Sequence, residues 1–266
     1  MRRLLLRKAA LLPWGVLAAT GVLPCKVQAV SLYVSPVRVV LTPSRPVSSL
    51  TLGSNEETEV AVQAEVLAWS QENGQDVYKP TRDVLVNPTI FRVPPGGQQI
   101  VRLGLQVPVD ATERSYRIFL QQLPRDQALT REAGSGAQLQ TLLRLAVPIF
   151  VPPPEPRQEV QWRLQATAPP PPGTSRPSRY TLTLDNRGTS HLQLKQILVR
   201  RESGTELLRK SLSLYVLPGQ SSADIALELP ALAPETSLQI EAASDAPSAL
   251  PAAIVHIPRA DPAPRQ

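Results

Sequence analysis

From Leu139 to Val151 apolar residues recur at every second position. Leu139, Thr141, Leu143, Leu145, Val147, Ile149 and Val151 fall on one face of an extended chain, and Gln140, Leu142, Arg144, Ala146, Pro148 and Phe150 on the other. A period of two marks a strand, whose successive side chains point to opposite faces. Pro148 lies inside the run. Having no N–H for a ladder, it places the strand at a sheet edge or at a bulge. A long apolar edge is a template for any passing chain. Either a partner covers it or recruiting one is its purpose, the plain alternative being an ordinary sandwich strand whose neighbour tolerates the proline.

Other runs share this character. Ser31 to Leu41 alternates until Pro36 interrupts it, as an edge strand with a switch or bulge would. Thr51–Leu52 precedes a turn-like Gly53-Ser54-Asn55, and Val60 to Trp69 alternates clearly. Ser70 to Gln75 reads as a hairpin loop around Asn73-Gly74, a pair that favours positive φ. Arg82 to Asn87, Thr89 to Val93, Gln98 to Leu105 and Tyr116 to Leu123 complete a first set of strands. After Pro152-Pro153-Pro154-Glu155-Pro156, a stiff connector, shorter runs follow around Trp162, Leu182, Ile197, Leu214, Leu227, Ile240 and Val255. Ala168 to Ser178 is a proline-rich loop. Short strands punctuated by proline and glycine predict an all-β fold of two sandwiches. The boundaries expected are 30–152 for the first domain, 153–159 for the linker, 160–258 for the second domain and 259–266 for a loose tail.

Residues 1–29 read as a secretory signal peptide: Arg2, Arg3, Arg7 and Lys8 precede an apolar stretch from Ala9 to Leu23, with cleavage expected after Ala29. Export changes two properties. Cys25, the single cysteine, leaves with the signal, so the mature chain is held by its core without a disulfide. The formal charge of +6 also collapses. Removing Arg2, Arg3, Arg7, Lys8 and Lys26 from 28 basic residues leaves 23 against 22 acidic ones, a net of +1. Nothing then argues for nucleic acid as a partner.

Catalytic and metal signatures are missing from the pattern. The two histidines, His191 and His256, have no cysteine beside them and no ligand spacing, and no Gly-x-Ser-x-Gly elbow occurs. Gly134-Ser135-Gly136 reads as a flexible loop tip, and His191, after a turn, as a surface or rim residue. No catalytic residue, cofactor or metal site is expected.

Several segments together resemble the periplasmic pilus-assembly (PapD-like) chaperones. Tyr116-Arg117-Ile118-Phe119-Leu120-Gln121-Gln122-Leu123-Pro124 is similar to their signature strand, and Ser35-Pro36-Val37-Arg38 to their opening. Asn87-Pro88-Thr89-Ile90-Phe91 with Pro94-Pro95-Gly96-Gly97-Gln98 is similar to their middle segment, and Leu145 to Val151 to their last first-domain strand. Leu184-Asp185-Asn186-Arg187-Gly188 and Tyr215-Val216-Leu217-Pro218-Gly219 extend the likeness into the second half. The absent disulfide and short, proline-marked strands look closest to the archaic branch associated with spore-coat-U-like subunits.

The resemblance implies two immunoglobulin-like domains in a boomerang, working in the periplasm. A donor strand would complete the fold of a pilus subunit and pass it to an outer-membrane usher. It assigns the donor face to Leu139, Leu143, Leu145 and Val147, with the parity open to a swap if Pro148 makes a bulge. It also implies two basic anchors for the subunit's terminal carboxylate: Arg38 from the first strand, and Arg144 as the nearest candidate on the last. Val147 and Pro148 occupy the place where the family's lysine is usual, and Arg102 or Arg117 are the other candidates for that role. The bland reading of Arg38 is a rim arginine snorkelling over the sandwich edge. The free chain could be capped by a second copy of itself. A secreted structural or adhesive surface protein, or a carbohydrate-binding sandwich, are the competing readings. The first would carry an incomplete single domain, and the second would group exposed tryptophans, whereas Trp69 and Trp162 lie in different halves.

Overall fold

The computed structural model describes residues 32–124, 141–168, 178–222, 224–230, 232–233, 236–246 and 249–257. The expected signal peptide with Cys25, Leu139, the Gly134-Ser135-Gly136 tip, the core of the proline-rich loop and the tail lie outside them. Seventeen strands and no helix make up the described chain.

The first sandwich has ten strands: β1 (Leu32–Ser35), β2 (Val39–Val40), β3 (Val47–Ser54), β4 (Val60–Glu72), β5 (Gln75–Pro80), β6 (Val84–Asn87), β7 (Ile90–Val93), β8 (Gln98–Leu105), β9 (Arg114–Gln122) and β10 (Arg144–Val151). One sheet runs β1-β3-β8-β6. The other runs β2-β10-β9-β4-β5, with β7 also on β4. Between β1 and β2 the chain crosses from one sheet to the other at Pro36, the residue that interrupts the alternation in the sequence. Val62, Leu52, Val101, Ile118 and Ile149, all essentially inaccessible, meet between the sheets.

The second sandwich is built from β11 (Val160–Ala168), β12 (Ser178–Asn186), β13 (Leu192–Arg201), β14 (Glu206–Val216), β15 (Ile225–Leu229), β16 (Ser237–Ser244) and β17 (Ala253–His256). Its sheets run β11-β12-β15 and β14-β13-β16-β17, closing over Leu182, Leu194, Val199, Leu227 and Leu238.

Two local readings need correction. Residues 70–75 are not a loop: β4 and β5 pair from Leu67↔Pro80 to Glu72↔Gln75, and only Asn73 (φ 52°) and Gly74 (φ 74°) turn. β3 begins at Val47 rather than Thr51, because Ser48 and Ser49 are held in register against Leu103 and Arg102. It also runs through Gly53, over which the Tyr33 ring lies so closely that a Cβ would collide with it. A serine-rich start and an interior glycine weaken a strand signal that pairing then restores.

The connector is tied down to the second sandwich. Arg157 N–H donates to Thr189 Oγ1 (2.9 Å), while Arg187 and Gly188 N–H both donate to the Glu159 carbonyl (2.8 and 3.1 Å). Gly188 is needed there, since a Cβ would lie 2.3 Å from the Arg157 carbonyl oxygen.

Candidate functional site: the β10 edge and the joint

The register of β10 explains its proline. β10 pairs β9 without interruption from Arg144↔Gln121 to Val151↔Arg114, so Pro148 makes no bulge. Gln122 N–H donates to the Leu143 carbonyl (2.9 Å), and on the opposite edge Leu41 N–H donates to the Phe150 carbonyl (2.9 Å). Alternation then directs the backbone groups of odd residues toward β9 and those of even residues away from it. Pro148 is even. Its missing N–H therefore falls on the edge facing away from β9 and removes no bond from the β9 ladder.

On that far edge only β2 pairs with β10, in parallel and at Ile149 and Phe150 alone. Among the described residues nothing pairs with the outer edge from Arg144 to Val147. Two N–H groups and two carbonyls, those of Arg144 and Ala146, face out of the sheet there, while the Pro148 carbonyl on the same edge is taken up by the parallel pairing of Ile149 with Val39.

The expected donor residues share a face but not an environment. Val147 is 2% exposed and sits in the sandwich core, with Leu145 half-buried against it. Leu143 is half-buried and precedes the regular strand, and Leu142 on the other face is exposed. The regular strand begins at Arg144, five residues later than the alternating run.

The even face carries a row of cations and rings. The Arg144 guanidinium lies 4.0 Å from the Phe119 ring centroid, Phe119 meets Tyr78 edge-on at 5.1 Å, and Arg117 covers Trp69 at 3.9 Å. Arg117 also donates to the Tyr78 hydroxyl (2.8 Å) and pairs with Asp76 (3.3 Å). Burial, offset by the Arg117 charge and reinforced by Asp76, pushes the Tyr78 phenol up to about 12.

Further along, Trp69, Phe150 and Leu217 form a small core of their own, packed by Tyr78 and Tyr215, in which both sandwiches take part. Gln71 fastens it. Its amide donates to the Tyr215 carbonyl (3.0 Å) and accepts from Leu217 N–H (2.9 Å), as a neighbouring strand would.

Arg38 is placed at this joint. It pairs with Asp245 and donates to Gln193 Oε1 (2.8 Å) and the Tyr215 hydroxyl (3.0 Å), all in the second sandwich. Burial opposes its charge, but Tyr215 and Asp245 outweigh burial and raise its pKa further. Asp245, which burial alone would raise, is held well below the usual carboxylate range by His191, the Gln193 amide and Arg38. A cavity of about 780 Å³ opens beside them, lined by Arg38, Arg157, Ser190, His191 and Asp245.

The two expected anchors are not brought together. Arg38 lies over Phe150, whereas Arg144 is six positions away along β10, about 20 Å at strand spacing. Arg117 packs on the even face, and Arg102 is exposed on the other sheet. His191 lies at the rim of the cavity beside Asp245, with 12% of its side chain exposed. Its ring stacks on Phe150 at 3.5 Å and 8°, and Nδ1 lies 2.7 Å from Glu113 Oε1. Gln71, Glu113, His191, Tyr215 and Asp245 escape a sequence reading because the partners that define the joint lie 52 to 207 residues away. Two sequence signals reach this region, Ser35-Pro36-Val37-Arg38 and Tyr215-Val216-Leu217-Pro218-Gly219.

Comparison with known proteins agrees with this geometry. Residues 31–157 match the family described as pili and flagellar-assembly chaperone, PapD N-terminal domain. A comparison with curated proteins gives no match. Among solved structures, the chain is similar to the CsuC–CsuE chaperone–tip adhesion subunit pre-assembly complex from the archaic Csu pili of Acinetobacter baumannii. The TM-score is 0.58 and the identity 16%, over 87% of this chain and 100% of that one. It is also similar to the SafB chaperone complex with SafA pilin from Salmonella enterica (TM-score 0.55, 15% identity, 86% and 97% covered). The class 5 fimbriae chaperone CfaA aligns with a TM-score of 0.53 and 14% identity over 85% of this chain and 98% of its own. With the family match across the sandwich that carries β10 and the shared two-sandwich fold, residues 31–157 belong to the PapD N-terminal-domain family of pilus-assembly chaperones, and the chain shares the fold of the chaperones it is similar to.

Proposed function

We propose that this chain holds pilus subunits in the periplasm by lending them the outer edge of β10, and delivers them to an outer-membrane usher. The observation that carries this reading is the half-paired strand. From Arg144 to Val147 its backbone is bonded to β9 on one side and open on the other. Strand addition takes affinity from such main-chain groups and specificity from alternate side chains. Leu143 and Leu145 supply the alternate side chains, and Val147 marks where the row enters the chaperone's own core. The export signal expected at residues 1–29 fits a periplasmic site.

Arg38 receives the subunit's terminal carboxylate. Its bonds to Asp245, Gln193 and Tyr215 use three of five N–H groups, which leaves two as donors on a residue that lines the adjacent cavity. Since one carboxylate cannot reach both Arg38 and Arg144, Arg144 serves the open edge instead. A free chain can shield the same edge with a second copy, giving a self-capped homodimer.

Co-expression of the tagged chain with each small secreted β protein encoded beside it, followed by pull-down and mass analysis, tests the reading. A stoichiometric partner is expected, and it should be lost with Leu143→Glu and Leu145→Glu while the fold is kept. Retention of the partner by the double variant would overturn it.

A further inference from the structure

At the joint between the sandwiches His191 sits between two carboxylates. Nδ1 lies 2.7 Å from Oε1 of Glu113, in the loop before β9, and Nε2 lies 3.6 Å from Oδ2 of Asp245, just after β16. Both carboxylates are largely shielded from water, with side chains 3% and 9% exposed. Arg38, before β2, pairs with the same Oδ2 of Asp245, whose Oδ1 accepts from the Gln193 N–H (2.7 Å). The remaining polar neighbours are Tyr215 of β14, with its ring 5.9 Å away, and Arg157 of the connector, which lines the same cavity and pairs with Glu159 at 3.9 Å.

We propose that His191 makes the joint between the two sandwiches responsive to pH, fastening it when protonated and loosening it when neutral. An imidazolium donates from both ring nitrogens and a neutral imidazole from one. Protonated, His191 gives a charged hydrogen bond to Glu113 across the joint and faces Asp245 with a second N–H. Arg38 and His191 then balance Glu113 and Asp245. Neutral, the ring keeps Nδ1–H on Glu113, which also accepts the His191 backbone N–H (3.1 Å), and turns a bare lone pair on Nε2 toward the Asp245 carboxylate. The cluster then holds one uncompensated negative charge in a shielded place, where repulsion is weakly screened.

Burial lowers the affinity of His191 for its proton, and Asp245 and Glu113 outweigh burial, so the net shift is upward from 6.5. A raised pKa means that the contribution to stability is complete below about 6.5, the unfolded value, and is lost as pH rises through the folded value.

The chain has two histidines, and His256 lies exposed on β17. An NMR titration of the mature chain and of its His256→Gln variant therefore assigns the His191 signal without disturbing the joint. We expect a midpoint above 6.5 for His191, and a thermal midpoint about 2–4 °C lower once pH has risen through it. His191→Gln should remove that pH-dependent step. A His191 midpoint at or below 6.5, or the same thermal step in wild type and His191→Gln, would overturn the proposal.

Discussion

Two edge strands of this molecule are treated in opposite ways. β14 closes one side of the second sandwich, and its 11 residues include Glu206, Arg209 and Lys210. Arg209 pairs with Glu206 at 2.7 Å and reaches Gln196, and Lys210 donates to the Ala226 carbonyl of β15. The ladder with β13 is broken by two register shifts. Charges, lysine and bulges are the devices by which proteins stop strangers from adding a strand. β10 carries fewer of them along its open half. Its register is unbroken, Arg144 is its only charge, and Arg144 is folded back over Phe119. An unguarded edge beside a guarded one is a feature in use.

The sharpest way to break this comparison is to guard β10 as β14 is guarded. Leu143→Glu with Leu145→Glu should abolish subunit capture, since one charge would be buried at every alternate position of the added strand, while the fold, seen by circular dichroism, is kept. Next in size is Ile149→Ala, where the same row is fully buried. The lost side chain and the cavity left behind should cost about 2–5 kcal/mol in urea unfolding, showing that the closed half of β10 is core. Gln71→Ala leaves the buried Leu217 N–H and the Tyr215 carbonyl without their partner and should cost about 1–3 kcal/mol. The smallest effect belongs to Arg144→Ala, which removes an exposed cation–π contact and should cost about 0.5–1 kcal/mol.

The asymmetry of β10 was half legible in the sequence. Alternation from Leu139 and the embedded Pro148 point to an edge strand, and the register shows why the proline sits there without cost to the β9 ladder. The sequence could not say where pairing begins, because Leu143 and Leu145 alternate as well as Val147 and Ile149 do. Only the position of β9 shows that the paired strand starts at Arg144. The joint was less legible. Arg38 stood out through its motif, but a histidine after a turn reads as exposed unless Glu113 and Asp245, distant in sequence, are known to converge on it. A glutamine acting as a strand, as Gln71 does, leaves no periodic trace.

Amide hydrogen exchange on the free chain, residue by residue along β10, tests the central claim most directly. Because the N–H groups of Leu145 and Val147 point to β9 and those of Arg144 and Ala146 point outward, the account predicts slow exchange for the first pair and fast exchange for the second. Adding a bound subunit should slow Arg144 and Ala146. Uniformly slow exchange in a chain that sediments as a monomer would mean that the edge is already covered from within, and would contradict it.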